Sequence, residues 1–115
     1  MTDQIRQGDV VWADMSPTGG HEQGGHRPHL VLSDERLHAA RRIVIAVPLT
    51  SRERPWPTRV RLAAGSYAVA EQPLTMSVNR IAKVERTGHD TTAAVQVINR
   101  LIAPAPSKSA PLAGP

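Results

Sequence analysis

Apolar residues recur in short clusters up to residue 85 and change their period after it. Val10-Val11-Trp12-Ala13 and Leu30-Val31-Leu32 are brief runs of strand-forming residues bounded by Gly, Asp, Pro and Ser, the composition of strands that end in turns. Ile43-Val44-Ile45-Ala46-Val47-Pro48-Leu49 is almost continuously apolar and predicts a central strand covered on both faces. Thr58-Arg59-Val60-Arg61-Leu62 alternates with period two, so one face of that strand is basic. Tyr67-Ala68-Val69-Ala70 starts another strand, Ser77-Val78-Asn79-Arg80 reads as a turn, and Ile81-Ala82-Lys83-Val84-Glu85 alternates again until Thr87-Gly88 stops it. Between the early strands, Glu35 to Ala40 has room for a helical turn. From Asp90 to Ala103 the apolar positions Ala94, Val95, Ile98, Leu101 and Ile102 recur at steps of three and four, with Asp90 or Thr91 available as N-cap.

These elements predict one mainly antiparallel β domain over residues 1–103, closed by an amphipathic helix. Residues 104–115 are Pro-, Ala- and Ser-rich without periodicity and read as a disordered tail. A chain of 115 residues is large enough to build a core without covalent staples. It contains no cysteine, which excludes disulfides and thiolate zinc sites and fits a reducing cytoplasm. The polar start, Met-Thr-Asp-Gln-Ile-Arg, and the lack of any long apolar run argue against secretion or a membrane helix.

Charge sharpens the picture. The chain carries 14 basic and 10 acidic residues, and every basic residue except Lys83 and Lys108 is arginine. Guanidinium groups pair with phosphate through two N–H donors and stack on bases, so an arginine-rich surface points to nucleic acid, against the plainer alternative of solubility. With no Phe, one Tyr and two Trp, the protein lacks the aromatic platform of a stacking single-strand binder.

The candidate chemistry gathers in the long connection between the first two apolar runs. Gly19, Gly20, Gly24 and Gly25 let backbone N–H groups approach a ligand, and Pro28 presents Arg27 from a stiff, extended position. An ion pair with Glu22 is the plainer reading of Arg27, as a strand-end cap is of Thr50. His21, His26 and His29 fall within nine residues. They read as a zinc set, as auxiliary proton carriers, or as exposed loop side chains. After the third strand, the loop Arg52-Glu53-Arg54-Pro55-Trp56-Pro57 offers cations beside Trp56, which either stacks on a base, plugs a groove or packs in the core.

Gly8-Asp9-Val10-Val11-Trp12, Ser16-Pro17-Thr18, Glu22-Gln23-Gly24-Gly25, Arg27-Pro28-His29-Leu30-Val31-Leu32, Val47-Pro48-Leu49-Thr50-Ser51 and Glu71-Gln72 together resemble the MazF/PemK/Kid family of toxin endoribonucleases. The resemblance covers all but about the last dozen residues. It implies a small SH3-like curled β-barrel with the helix packed on it. It also implies an endoribonuclease that needs neither ribosome, metal nor cofactor. The implied reaction on single-stranded RNA is attack of a ribose 2′-OH on its own phosphate, leaving 2′,3′-cyclic phosphate and 5′-OH ends. Arg27 and Thr50 match the family's catalytic pair. Around them, Glu22, Gln23, Gly24, Gly25 and His26 of the loop, Ser51, Arg52 and Arg54 after the strand, and Gln72 form the expected RNA-binding set. A homodimer, a MazE-like antitoxin with an acidic tail, and a cytoplasmic location follow from the same resemblance. One departure stands out: Gln72 is followed by Pro73-Leu74, where the family often carries an apolar residue and then a cation. Two other classes remain open on the residues, a non-catalytic nucleic-acid or peptide-binding barrel and a metal-dependent hydrolase built on the loop histidines.

Overall fold

A computed structural model describes residues 4–15 and 25–105. The expectations placed on Gly19, Gly20, His21, Glu22, Gln23, Gly24 and residues 106–115 lie outside the described residues. Along the described chain run β1 (Val10–Ala13), β2 (Arg27–Val31), α1 (Glu35–Arg41), β3 (Ile43–Thr50), β4 (Arg59–Ala63), β5 (Ser66–Val69), β6 (Leu74–Ser77), β7 (Ile81–Glu85) and α2 (Thr92–Ile102). A short 3₁₀ turn, Val78–Arg80, joins β6 to β7. Every strand pairing is antiparallel, in the order β4-β5-β3-β2-β1-β7 with β6 also on β3.

β3 is the hub. One edge pairs with β2, while the other pairs first with β6 through Ile43 to Ala46 and then with β5 through Leu49 and Thr50. Pro48 sits between those two partners. Leu32 N–H donates to the Ile45 carbonyl at 2.9 Å, and alternation along the ladder then makes His29 and Pro48 a pair that exchanges no backbone hydrogen bonds. The missing N–H of Pro48 therefore faces the junction where β3 changes neighbours. A proline is tolerated in this central strand because no ladder bond falls there.

Alternate residues of the sheet feed two cores. Val11, Ala13, Val31, Val44, Ala46, Met76 and Val78 pack on the inner face with Ile5, joined by Ile81 and Val84 of β7. Leu30, Leu32, Val47, Ala68 and Ala70 pack on the opposite face under Ala94 and Val97 of α2. Because β6 and β7 sit on opposite flanks of the β3-β2-β1 ribbon yet share the inner core, the sheet curls in the SH3-like manner. The curl is not sealed by hydrogen bonds between β4 and β7, the two ends of the strand order.

Three local expectations change. β3 is covered on both faces only in part, since Ile45 is 38% exposed. Leu74–Ser77 is a strand, which four residues after a proline do not advertise; Met76 supplies its buried anchor. The helical turn near residue 35 is a full seven-residue helix. Asp34 caps it by accepting from Arg36 N–H at 2.7 Å. The Arg36 side chain and backbone together hold the Asp34 carboxyl down at about 2. At α2 the sequence offered two caps. Asp90 accepts the Thr92 N–H at 2.9 Å, while the Thr91 side chain makes no capping bond.

Candidate active site

The β2–β3 register pairs His29 with Pro48, Leu30 with Val47 and Val31 with Ala46. Both strands run on to Arg27 and Thr50, and this register, carried two residues past its last pair, brings the two to the same end of the sheet. Two residues 23 apart in sequence thus share one end of the sheet. They line an open groove of about 550 Å³ together with Ser51 and Arg52.

Thr50 ends its strand as a turn-forming residue. Its Oγ1 accepts the Arg52 backbone N–H at 3.1 Å, which is the cap expected of a strand-end threonine. A hydroxyl has one donor and two lone pairs. Engaging a lone pair with Arg52 orients the oxygen and leaves its O–H to donate to a ligand in the groove. The same turn places Arg52, whose carbonyl accepts from Arg59 Nη1 at 2.6 Å. Arg59 in turn lies over the Trp56 ring at 5.0 Å, with Arg54 at 5.9 Å. Trp56 is half exposed and belongs to this arginine stack, not to the core. The loop after β3 is thereby clamped from below by a strand residue.

Of the histidines, His26 is exposed just ahead of β2. His29 is not an exposed loop side chain. It is buried within β2, where Nδ1–H donates to the Arg27 carbonyl at 2.9 Å. Burial pushes its pKa below the ordinary 6.5, against the opposing effect of bonds to the Arg27 and Val11 backbones. A ring so engaged supports the backbone of Arg27 from within the sheet. Among the described residues no three His, Cys, Asp or Glu side chains converge to hold an ion.

Other expected residues stand apart from the groove. Gly25 leads into β2. Gln72 is exposed in the turn between β5 and β6, its backbone N–H bonded to the Val69 carbonyl at 3.1 Å. Arg54 donates to the Glu53 carbonyl at 3.0 Å beside Trp56. Conversely, the far side of the groove is built from residues that sequence reasoning did not select: Trp12, Glu85, Thr87 and His89. They arrive through the pairing of β1 with β7, which sets Val10 against Glu85. Trp12 Nε1–H donates to Glu85 at 3.1 Å, and Lys83 reaches the same carboxylate at 3.4 Å. These bonds, the Trp12 one first, hold the Glu85 carboxyl below its usual range. The alternation of residues 81–85 placed Glu85 and Lys83 on one face but named no partner for them.

A curled antiparallel sheet with a terminal helix, opening at one end into a groove set with guanidinium and hydroxyl donors, is a small barrel suited to an extended anionic ligand. Comparison with known proteins is consistent with that class and narrows it. The profile of the PemK-like, MazF-like toxins of type II toxin–antitoxin systems matches residues 6–104, and the chain belongs to that family. It is 39% identical over 68 residues to the endoribonuclease toxin MazF of Escherichia coli K12, a match covering 56% of this chain and 61% of that protein. It is 37% identical over 65 residues to the endoribonuclease EndoA of Bacillus subtilis, covering 55% and 56%. The chain thus spans under two thirds of the length of these curated relatives. A MazE-MazF crystal structure from Deinococcus radiodurans superposes with a TM-score of 0.70 at 25% identity, covering 90% of this chain and all of the other.

Proposed function

We propose that this chain is the toxin of a toxin–antitoxin pair and cleaves single-stranded RNA by attack of a ribose 2′-OH on its neighbouring phosphate. The observation that supports the reading is that Arg27, at the start of β2, and Thr50, at the end of β3, line one groove together. Arg27 grips the scissile phosphate through two N–H donors and offsets the charge that builds on its oxygens. Thr50 donates its free O–H to a phosphate oxygen. Ser51 and Arg52 follow the chain along the groove, and Glu22, Gln23, Gly24, Gly25, His26, Arg54 and Gln72 serve the flanking nucleotides. The nucleophile belongs to the substrate itself, so this chemistry requires neither metal nor cofactor.

The same cationic groove suits the acidic segment of a MazE-like antitoxin, which would compete with RNA for Arg27 and Arg52. Val95, Leu101 and Ile102 of α2 are 43%, 56% and 72% exposed. Apolar side chains left open in this way support a second copy of the chain as partner. In this reading the protein meets its RNA and its antitoxin in the cytoplasm.

The test is end-mapping of a long unstructured RNA incubated with the protein in excess EDTA, beside Arg27→Ala and Thr50→Ala. Discrete cuts bearing cyclic-phosphate ends, lost in both variants, are the expected result. Undiminished RNA binding without cleavage, with or without added metal, would instead make the chain a binding module.

A further inference from the structure

Among the described residues that line the groove, Glu85 alone carries a carboxylate. A fixed negative charge in a groove for a polyanion repels phosphate, so an RNA strand lying there must turn another part of itself towards Glu85. A carboxylate accepts hydrogen bonds, and in RNA the donors are the ribose 2′-OH and the edges of the bases. The hydroxyl offers one donor. The Watson–Crick edge of guanine offers two side by side, N1–H and N2–H, at the spacing of two carboxylate oxygens.

Glu85 is also held in place by its neighbours. The β1–β7 register sets Val10 against Glu85 and Trp12 against Lys83, and Trp12 faces Pro28, the residue after Arg27, on its other side. Glu85 Oε1 accepts Trp12 Nε1–H at 3.1 Å, and Oε2 meets Lys83 Nζ at 3.4 Å. Each carboxylate oxygen has two lone-pair directions, so each keeps one for a ligand. The Glu85 and Lys83 side chains are 40% and 62% exposed. An ion pair so open to solvent is weak, and the ammonium can swing aside while the indole keeps its hold. With the Trp12 bond first among the causes, the carboxyl lies below its usual range, and both oxygens are acceptors at neutral pH.

We propose that Glu85 reads a guanine in the RNA recognition sequence, its two oxygens accepting N1–H and N2–H. This rests on the RNA-cleavage reading above and adds to it a determinant of where the chain cuts. The other bases fit the carboxylate poorly. Adenine sets its N1 acceptor beside N6–H, cytosine sets N3 beside N4–H, and uracil flanks N3–H with two carbonyls. Each therefore turns a lone pair against one carboxylate oxygen, and only guanine meets both with donors. A bidentate pair of this kind favours the right base by about 5- to 150-fold. Trp12 is the positioning residue, since its indole N–H fixes one oxygen of the pair.

The experiment maps cuts by wild type and Glu85→Gln in a pool of RNA with randomised sequence, then repeats the cleavage on one oligonucleotide carrying guanosine or inosine at the position the map identifies. Glutamine still accepts from Trp12 but replaces one acceptor by a donor. Wild type is expected to require guanine at one position, and Glu85→Gln to shrink that preference by about 5- to 150-fold while keeping the order of preference elsewhere. Both are ratios within one preparation, so they do not depend on how much of the variant is folded. Inosine keeps N1–H and lacks N2–H; wild type should cut it about tenfold more slowly or worse, and Glu85→Gln should distinguish the two by less than about threefold. A wild-type map without guanine preference, equal cutting of inosine and guanosine by wild type, or an unaltered preference in the variant would each overturn the assignment and leave the RNA-cleavage reading standing. An even loss at all sequences would make Glu85 merely a support for Trp12. If the variant cuts nothing, the inosine comparison on wild type decides. Wild-type protein that cuts no RNA would overturn the cleavage reading and the base reader with it.

Discussion

Gly8→Ala should be far more damaging than alanine at either of the other described glycines with positive φ. Gly8, Gly65 and Gly88 have φ of +91°, +73° and +64°, so each substitution places an L residue in the left-handed region, at about 1–2 kcal/mol. Nothing lies within 4 Å of a Cβ at Gly65 or Gly88, and the conformational cost should be all they show. At Gly8 the new Cβ meets the His89 carbonyl oxygen at 2.5 Å and its nitrogen at 3.2 Å. Both are backbone atoms that no rotamer change can move aside. Relief requires the two strands of chain to separate by roughly half an ångström or more, which breaks or stretches the bonds from His89 N–H and Thr87 Oγ1 to the Gly8 carbonyl. Those are worth about 1 kcal/mol each. The expected losses are therefore about 3–4 kcal/mol for Gly8→Ala and about 1–2 kcal/mol for Gly65→Ala and Gly88→Ala. Urea unfolding followed by Trp12 and Trp56 fluorescence measures all three. If Gly8→Ala costs no more than Gly65→Ala, the close approach that pins His89 is wrong.

Thr50→Ser keeps both the acceptor for Arg52 N–H and the free O–H and should retain most RNA cleavage. Thr50→Val should lose about 10²-fold or more while unfolding within about 1 kcal/mol of wild type. Arg59→Ala removes both the bond to the Arg52 carbonyl and the cation over Trp56; a shift of Trp56 fluorescence and faster proteolysis between residues 51 and 58 should follow, and an unchanged loop would refute the clamp. Buried His29 resists protonation, so its folded pKa lies below 6.5. Its contribution to stability is full above pH 6.5 and is lost as pH falls through the folded value, because the unfolded chain then binds the extra proton. The drop in urea midpoint from pH 7.5 to 5.5 should accordingly be smaller in His29→Gln, whose amide can still donate to the Arg27 carbonyl, than in wild type.

Much of this protein is local in origin and legible in the chain. The short apolar runs around residues 10 and 45, the period-two runs around residues 60 and 83 and the three–four spacing after residue 90 follow from burying apolar side chains, so strands and helix emerge close to where the pattern puts them. The long shared motif around Arg27 and Thr50 named the family. What the pattern left out depended on partners distant in sequence. Leu74–Ser77 is a strand because β3 has an unpaired edge beside Ile43 to Ala46, not because four residues declare it. His29 looked like a loop histidine until the pairing of Arg27–Val31 with both β1 and β3 buried it. Trp56 left the core for two arginines that no local rule assigns to it. The far wall of the groove, with Glu85 and His89, exists only because β7 returns alongside β1. Hydrophobic period reports which side of an element is buried, and it carries no address for what will stand opposite. Register and strand order supply that address, and they set which donors share a groove with Arg27.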